Sequence, residues 1–119
     1  MGALTAGTVV LVPFPFSDLS KSKLRPAVVL AGAGHDDWIL CQITSNPYSD
    51  PKAVMITDDS FVQGSLHKIS YARPGKLFTA NLQLIKSEAG FLKRETLERV
   101  IDEVVGILRN EPAKHKSVP

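Results

Sequence analysis

The chain has 119 residues, a mass of 12.9 kDa and a formal net charge of +2, with 44% hydrophobic and 22% charged residues. These values are close to those of an average soluble domain, so they exclude a wholly disordered chain and suit one domain with a hydrophobic core. The apolar runs are also far shorter than the about 20 residues that a membrane-spanning helix needs.

Most of the chain predicts short β-strands. Runs of β-branched and aromatic residues alternate with Gly, Pro, Asn and Asp, which are typical of turns. Pro13 and Pro15 should keep the end of the first strand out of a central ladder, because proline donates no backbone hydrogen bond. We expect a polar loop at 17–24, and a turn at Arg73-Pro74-Gly75 between the last two strands. The predicted strands are residues 8–16, 27–31, 38–44, 53–57, 68–72 and 76–79.

From about Lys93 the apolar spacing becomes helical, and it forms one stripe. Lys93 is a weak N-cap, whereas Asn110 before Pro112 predicts the end of the helix. Short strands followed by one helix indicate a small, bent antiparallel sheet or barrel with the helix packed against it. We expect a single domain over residues 1–111 and a disordered tail over 112–119. The stripe consists of Leu97, Val100, Ile101, Val104 and Leu108.

Cysteine usage and the first residues predict a cytoplasmic protein. The single cysteine, Cys41, excludes an internal disulfide, and its apolar surroundings predict a buried thiol. Residues 1–7 lack the positive charge that begins a secretion signal.

Two polar clusters lie at strand ends, one around Arg25 and the other at Thr44-Ser45-Asn46. If strands 27–31 and 38–44 pair as a hairpin through residues 32–37, Arg25 and Thr44 lie nearly opposite each other at its open end. A guanidinium binds phosphate oxygens, and hydroxyl or amide groups stabilise a developing oxyanion. The pattern therefore favours a phosphodiester site, and the scattered acids and histidines predict a reaction without a metal ion.

Each feature also has an ordinary structural explanation. Arg-Pro at a strand start is commonly a solvated boundary, and Thr-Ser-Asn at a strand end is common turn chemistry. The stretch 60–87 contains four Lys and Arg residues and no acid, which is typical of a solvated face. His67 is expected on the surface, with a catalytic role as the alternative. The residues alone lead to a β-rich domain with a candidate anion site.

Two segments, GTVVLVPFPFSDL (7–19) and KLRPAVVL (23–30), resemble the opening of the PemK/MazF family of toxin endoribonucleases. The segment ITSN (43–46) resembles the family's second motif, and residues 73–79 and the C-terminal helix also fit. The similarity covers residues 7–108. It implies an SH3-like barrel of the PemK/MazF/CcdB type and a homodimer that cuts single-stranded RNA, without metal or other cofactor, and is neutralised by a cognate antitoxin.

The resemblance also assigns roles to residues. Arg25 and Thr44 match the family's catalytic arginine and threonine. The 2′-hydroxyl would attack in line and leave a 2′,3′-cyclic phosphate. Arg25 would donate a proton and stabilise the phosphorane, and Thr44 would hold a nonbridging oxygen. Arginine is a poor general base, so the resemblance leaves the base unassigned. The expected substrate-binding residues are Asp18, Lys21, Lys23, Ser45 and Asn46.

Two other functions remain open at this point. One is a non-catalytic protein of the same fold that binds nucleic acid, DNA included, or poisons gyrase. The other is an interaction module whose basic face is incidental. A gyrase poison would damage DNA and leave transcripts intact, and an interaction module would show no salt-dependent RNA binding.

Overall fold

The computed structural model describes residues 4–14 and 23–113, which form a single antiparallel sheet and one helix. The strand order is β4-β6-β3-β2-β1-β7-β5. The extents of 35 × 32 × 30 Å are nearly equal, because the sheet curls into a half-barrel instead of lying flat. The mainly β fold with a C-terminal helix is therefore confirmed. The elements are β1 (Thr8–Phe14), β2 (Lys23–Gly34), β3 (Asp37–Thr44), β4 (Val54–Ile56), β5 (Phe61–Gly64), β6 (Ser70–Asn81), β7 (Ser87–Leu92) and α1 (Arg94–Leu108).

The prolines interrupt the ladder on one side of β1, as predicted. The strand lies between β2 and β7, and its pairing with β7 stops at Leu11, before Pro13. On the other side Pro13 pairs with Leu24, and β2 is longer than predicted. Residues 15–16 of the predicted strand and 17–22 of the predicted loop lie outside the described residues.

The predicted turn at Arg73-Pro74-Gly75 is wrong, because β6 runs continuously through it. Cys41 of β3 pairs with Leu77, whereas Ile43 pairs with Ala72, so residues 73–76 form a bulge opposite one residue of β3. A bulge accommodates a proline without the loss of a ladder hydrogen bond. The strands β5 and β7 were not predicted, since each is short and has few apolar residues.

Both faces of the sheet are covered by apolar side chains. One cluster contains Val9, Val28 and Cys41, and Val100 of α1 packs into it. The other contains their neighbours Val10, Ala27, Val29 and Leu40. Ala27, Val28 and Val29 are all 0% exposed, so this part of β2 is buried on both faces, whereas Ala31 is exposed.

The predicted C-terminal helix is confirmed, including both of its ends. Lys93 makes no side-chain capping hydrogen bond. Asn110 adopts a φ of 58°, and the amides of Asn110 and Glu111 donate to the carbonyls of Ile107 and Gly106. This is the Schellman arrangement that ends a helix. The predicted disordered tail lies mostly outside the described residues, which stop at residue 113.

The thiol of Cys41 is buried in the sheet, as predicted. Its Sγ donates to the carbonyl oxygen of Arg73 at 3.2 Å. Burial raises the pKa of the Cys41 thiol to about 12. The side chain is therefore an uncharged core group at neutral pH and not a nucleophile. Among the described residues, no helix is long and apolar enough to cross a membrane.

The strands β5 and β7 pair antiparallel, and their backbones approach closely at the paired glycines Gly64 and Gly90, which leave no room for side chains. A Cβ on Gly64 would overlap the carbonyl oxygen of Ala89 and the Cα of Gly90. A Cβ on Gly90 would lie 2.6 Å from the carbonyl oxygen of Gln63. This close approach holds the start of segment 65–69 against β7, where the amide of Ser65 donates to Ala89.

Gly64→Ala should destabilise the fold more than Gly34→Ala. Both glycines have a positive φ, +84° and +87°, but a Cβ on Gly34 meets nothing within 4 Å. The left-handed backbone alone costs a non-glycine residue about 1–2 kcal/mol, and overpacking adds about 1–3 kcal/mol at Gly64 only. Urea denaturation measures the difference, and equal losses in the two variants would contradict the close approach.

Candidate nucleic-acid interface

The hairpin of β2 and β3 brings Arg25 beside Thr44. Ala27 pairs with Gln42, and continuing this antiparallel register by two residues sets Arg25 against Thr44 at the open end. The spacing argument made from the sequence therefore holds, although the turn itself comprises only residues 35–36, fewer than predicted.

Arg25 and Thr44 line one groove of about 560 Å³. Strand ends and segment 65–69 supply its polar groups, and the residues between them form an apolar floor. The polar lining comprises Arg25, Thr44, Ser45, Ser65, His67, Lys68 and Ser70. The apolar lining comprises Leu11, Leu24, Pro26, Ile43, Leu66 and Ala89.

Local hydrogen bonds orient the hydroxyl of Thr44. The amide of Asn46 donates to Thr44 Oγ1 at 3.2 Å, so the hydroxyl proton is available to another acceptor. The side chain of Asn46 is used in the same turn, since its Oδ1 accepts from the amide of Tyr48 at 2.9 Å. Asn46 is exposed and does not line the groove, whereas the neighbouring Ser45 does.

Arg25 is half-buried and keeps its charge directed to the groove. In the described part of the chain Arg73 pairs with Asp50 and Arg94 pairs with Glu98, and Arg25 takes part in neither ion pair. Within the described lining the charged side chains are Arg25 and Lys68, with no carboxylate. The groove is therefore suited to an anion.

Of the three loop residues expected to bind substrate, the structure describes Lys23. Lys23 is exposed and pairs with Phe14, two residues before Arg25, and it is not part of the groove lining. Asp18 and Lys21 lie outside the described residues.

Sequence reasoning missed the second wall of the groove, which consists of Ser65, His67, Lys68 and Ser70. Ser65 Oγ donates to a carboxylate oxygen of Asp58 and accepts from the amide of His67 at 2.8 Å. The pairing of Thr44 with Tyr71 brings this segment to the end of β3. The lack of acids at 60–87 was the available signal, but it could not indicate which residues face Arg25.

A second feature near Ser45 is the loop that carries Tyr48. The Tyr48 ring is 64% exposed, and the Arg73 guanidinium lies over it, 5.3 Å from the ring centroid. Asp50 holds Arg73 with an N–O distance of 3.2 Å. The Tyr48 ring is thus an exposed aromatic surface that the Arg73 guanidinium holds in place. A second aromatic residue, Phe61, offers no such surface, because it is buried in the core.

A metal centre has no candidate ligand set in the described part of the chain. No group of three or more His, Cys, Asp or Glu side chains comes together there. The polar lining of the groove instead consists of hydroxyls, one imidazole and two cations, which are ligands for a phosphate.

Solved structures of the same fold come from toxin–antitoxin proteins. Form I of MazF from Deinococcus radiodurans aligns with a TM-score of 0.70 at 18% identity, over 92% of this chain and 99% of that one. A mycobacterial endoribonuclease in complex with its cognate antitoxin gives 0.65 at 14% identity, over 94% and 98%. The Mycobacterium tuberculosis toxin MazF-mt6 gives 0.66 at 16% identity, over 88% and 98%.

Sequence comparison assigns the family. A search of curated protein sequences finds no match. The family model of the PemK-like, MazF-like toxins of type II toxin–antitoxin systems matches residues 5–108. That span includes every strand, the helix and all residues of the groove, so the chain belongs to the PemK-like, MazF-like toxin family.

Proposed function

We propose that this toxin is a metal-independent endoribonuclease that cleaves single-stranded RNA in the cytoplasm. The observation that carries the proposal is the placement of Arg25 beside Thr44 in an acid-free groove, as far as the described lining extends. The chain belongs to a toxin family, and similar folds occur in endoribonucleases. We infer a messenger RNA substrate from that kinship and from the groove chemistry.

The reaction uses the substrate's own 2′-hydroxyl. Its oxygen attacks the adjacent phosphorus, the bond from phosphorus to the 5′-oxygen breaks, and a 2′,3′-cyclic phosphate and a free 5′-hydroxyl remain. Arg25 stabilises the charge that develops on the phosphoryl oxygens, because its forked donors match their geometry. Thr44 donates its hydroxyl proton to a nonbridging oxygen, in the orientation that the Asn46 amide sets.

Residues around the pair bind the rest of the RNA. Ser45 in the groove, and Asn46 beside it, hydrogen-bond a phosphate or a base edge, and Lys68 adds positive charge. Lys23, together with Lys21 and Asp18, contacts the strand as it approaches. The exposed Tyr48 ring offers a surface on which a base stacks, which is a common mode of single-strand recognition.

Removing either member of the pair should abolish cleavage while the fold remains intact. Long single-stranded RNA is incubated with purified protein in EDTA, and the fragment ends are sequenced. Wild type should give discrete cuts. Thr44→Val should reduce the rate about 100- to 1,000-fold, the effect of losing one oxyanion donor, and Arg25→Ala at least as much. Arg99→Ala and Thr79→Val, at exposed positions outside the groove, are the matched controls.

Two results would contradict this function. Full activity of Arg25→Ala would remove the arginine from the mechanism. Intact RNA with folded wild-type protein would remove the nuclease, and DNA damage in cells with intact transcripts would then point to gyrase as the target.

The active form is a homodimer. Light scattering of the purified toxin should give twice the 12.9 kDa mass of one chain. A monomer at the concentration that cuts RNA would contradict the dimer.

The antitoxin neutralises the toxin by placing an acidic segment in the groove, because the described charged lining is cationic. Added to toxin bound to fluorescent 2′-O-methyl RNA, the cognate antitoxin should displace the RNA. Lys68→Glu should weaken the binding of both ligands, whereas Lys76→Glu, exposed and outside the groove, should weaken neither. A ternary complex of toxin, antitoxin and RNA would contradict the shared site.

A further inference from the structure

We propose that His67 is the general base that removes the proton from the attacking 2′-hydroxyl. The inference rests on the proposed ribonuclease function and adds the group that Arg25 and Thr44 cannot supply. Three features support this role: the position of His67, its backbone conformation and the chemistry of the other groove residues.

His67 lines the same groove as Arg25 and Thr44. The pairing of Thr44 with Tyr71 explains this placement, because it brings the residues just before β6 to the open end of the hairpin. A phosphodiester bound by Arg25 and Thr44 therefore lies in the groove whose other wall carries the imidazole. The adjacent 2′-hydroxyl then faces a groove of about 560 Å³ that His67 also lines.

The backbone at His67 is held in an uncommon conformation. Its φ is 63°, in the left-handed region that few residues other than glycine adopt. Ser65 maintains it by accepting the His67 amide at 2.8 Å while donating to Asp58. These hydrogen bonds fix the backbone at His67, so the residue is held on this wall of the groove.

Chemistry excludes the other described lining residues as the base. Arginine and lysine stay protonated at neutral pH, and serine and threonine hydroxyls are far too weak as bases. Histidine is the side chain that changes charge between about pH 5 and 8. The charged groups around it are Arg25 and Lys68 in the groove, and Asp58 and Asp59 in a smaller cavity of about 310 Å³ that His67 and Lys68 also line.

The proton balance of the step is complete with water as the only further reactant. The neutral imidazole takes the proton from O2′ as the O2′–phosphorus bond forms. The bond to O5′ breaks, O5′ leaves with the electron pair, and water supplies its proton. Arg25 balances the charge of the phosphorane throughout, and the imidazolium then releases its proton to solvent.

The first test compares two histidines in the same backbone conformation. His67→Asn removes the base, and asparagine tolerates a positive φ. His35→Asn is the matched control, since His35 is exposed, has a φ of 56° and lies in the turn at the far end of the hairpin. We expect cleavage by His67→Asn to fall about 100- to 10,000-fold and cleavage by His35→Asn to stay unchanged. Binding of 2′-O-methyl RNA, which cannot react, should be the same in all three proteins.

The second test separates proton transfer from a structural role. Wild-type cleavage should rise with pH, as expected for a reaction that needs a general base, and His67→Asn should lose that rise. His67→Gly keeps the positive φ and leaves space, so added imidazole should restore its activity. Imidazole should not restore Arg25→Ala.

The outcomes distinguish this inference from the function on which it rests. If His67→Asn cleaves RNA as fast as wild type, or has the same pH profile, His67 is not the base, and the proposed ribonuclease function is unaffected. A loss that appears only as weaker binding of 2′-O-methyl RNA also overturns the role of His67. Wild-type protein that leaves RNA intact overturns both.

Discussion

The antiparallel register of β2 with β3 is the constraint on which the groove depends. Val28 opposite Cys41 belongs to the core on one face, and Val29 near Leu40 belongs to the core on the other. A slip of one residue would exchange the two faces and separate Arg25 from Thr44. The alignment of Arg25 with Thr44 is therefore maintained by apolar burial several residues away.

The two walls of the groove have different origins and different chemical tasks in the proposed reaction. The hairpin wall supplies hydrogen-bond donors for a phosphate. Its residues come together because β2 and β3 are consecutive strands joined by a short turn. The other wall contains His67 and Lys68. Its position depends on the pairing of β6 with β3 and on the pairing of β5 with β7. The bulge at residues 73–76 lets one bent strand, β6, pair with both the start and the end of β3.

Local pattern was sufficient for the hairpin, the helix and the placement of Arg25 near Thr44. Each of these elements can be predicted from nearby residues alone: the strand from the apolar run 27–31, the turn from the residues after it, and the helix from its apolar stripe. The strands β5 and β7 and the true course of β6 could not be predicted in this way, because contacts distant in the chain decide them. Pro-Gly inside a strand is tolerated only where a bulge removes the need for a hydrogen bond. His67 was missed as a groove residue for the same reason, since nothing near it in the chain indicates its neighbours across the sheet.

The close approach of Gly64 in β5 to Gly90 in β7 limits how this sequence can change during evolution. At Gly64 the obstacle to a side chain is backbone, the carbonyl of Ala89 and the Cα of Gly90, so no second substitution nearby can make room. Most core positions can drift by exchanging volume with a neighbour, as the low identity to proteins of the same fold illustrates. Gly64 has no such partner for exchange. Lineages should therefore retain this glycine long after the side chains that line the groove have diverged.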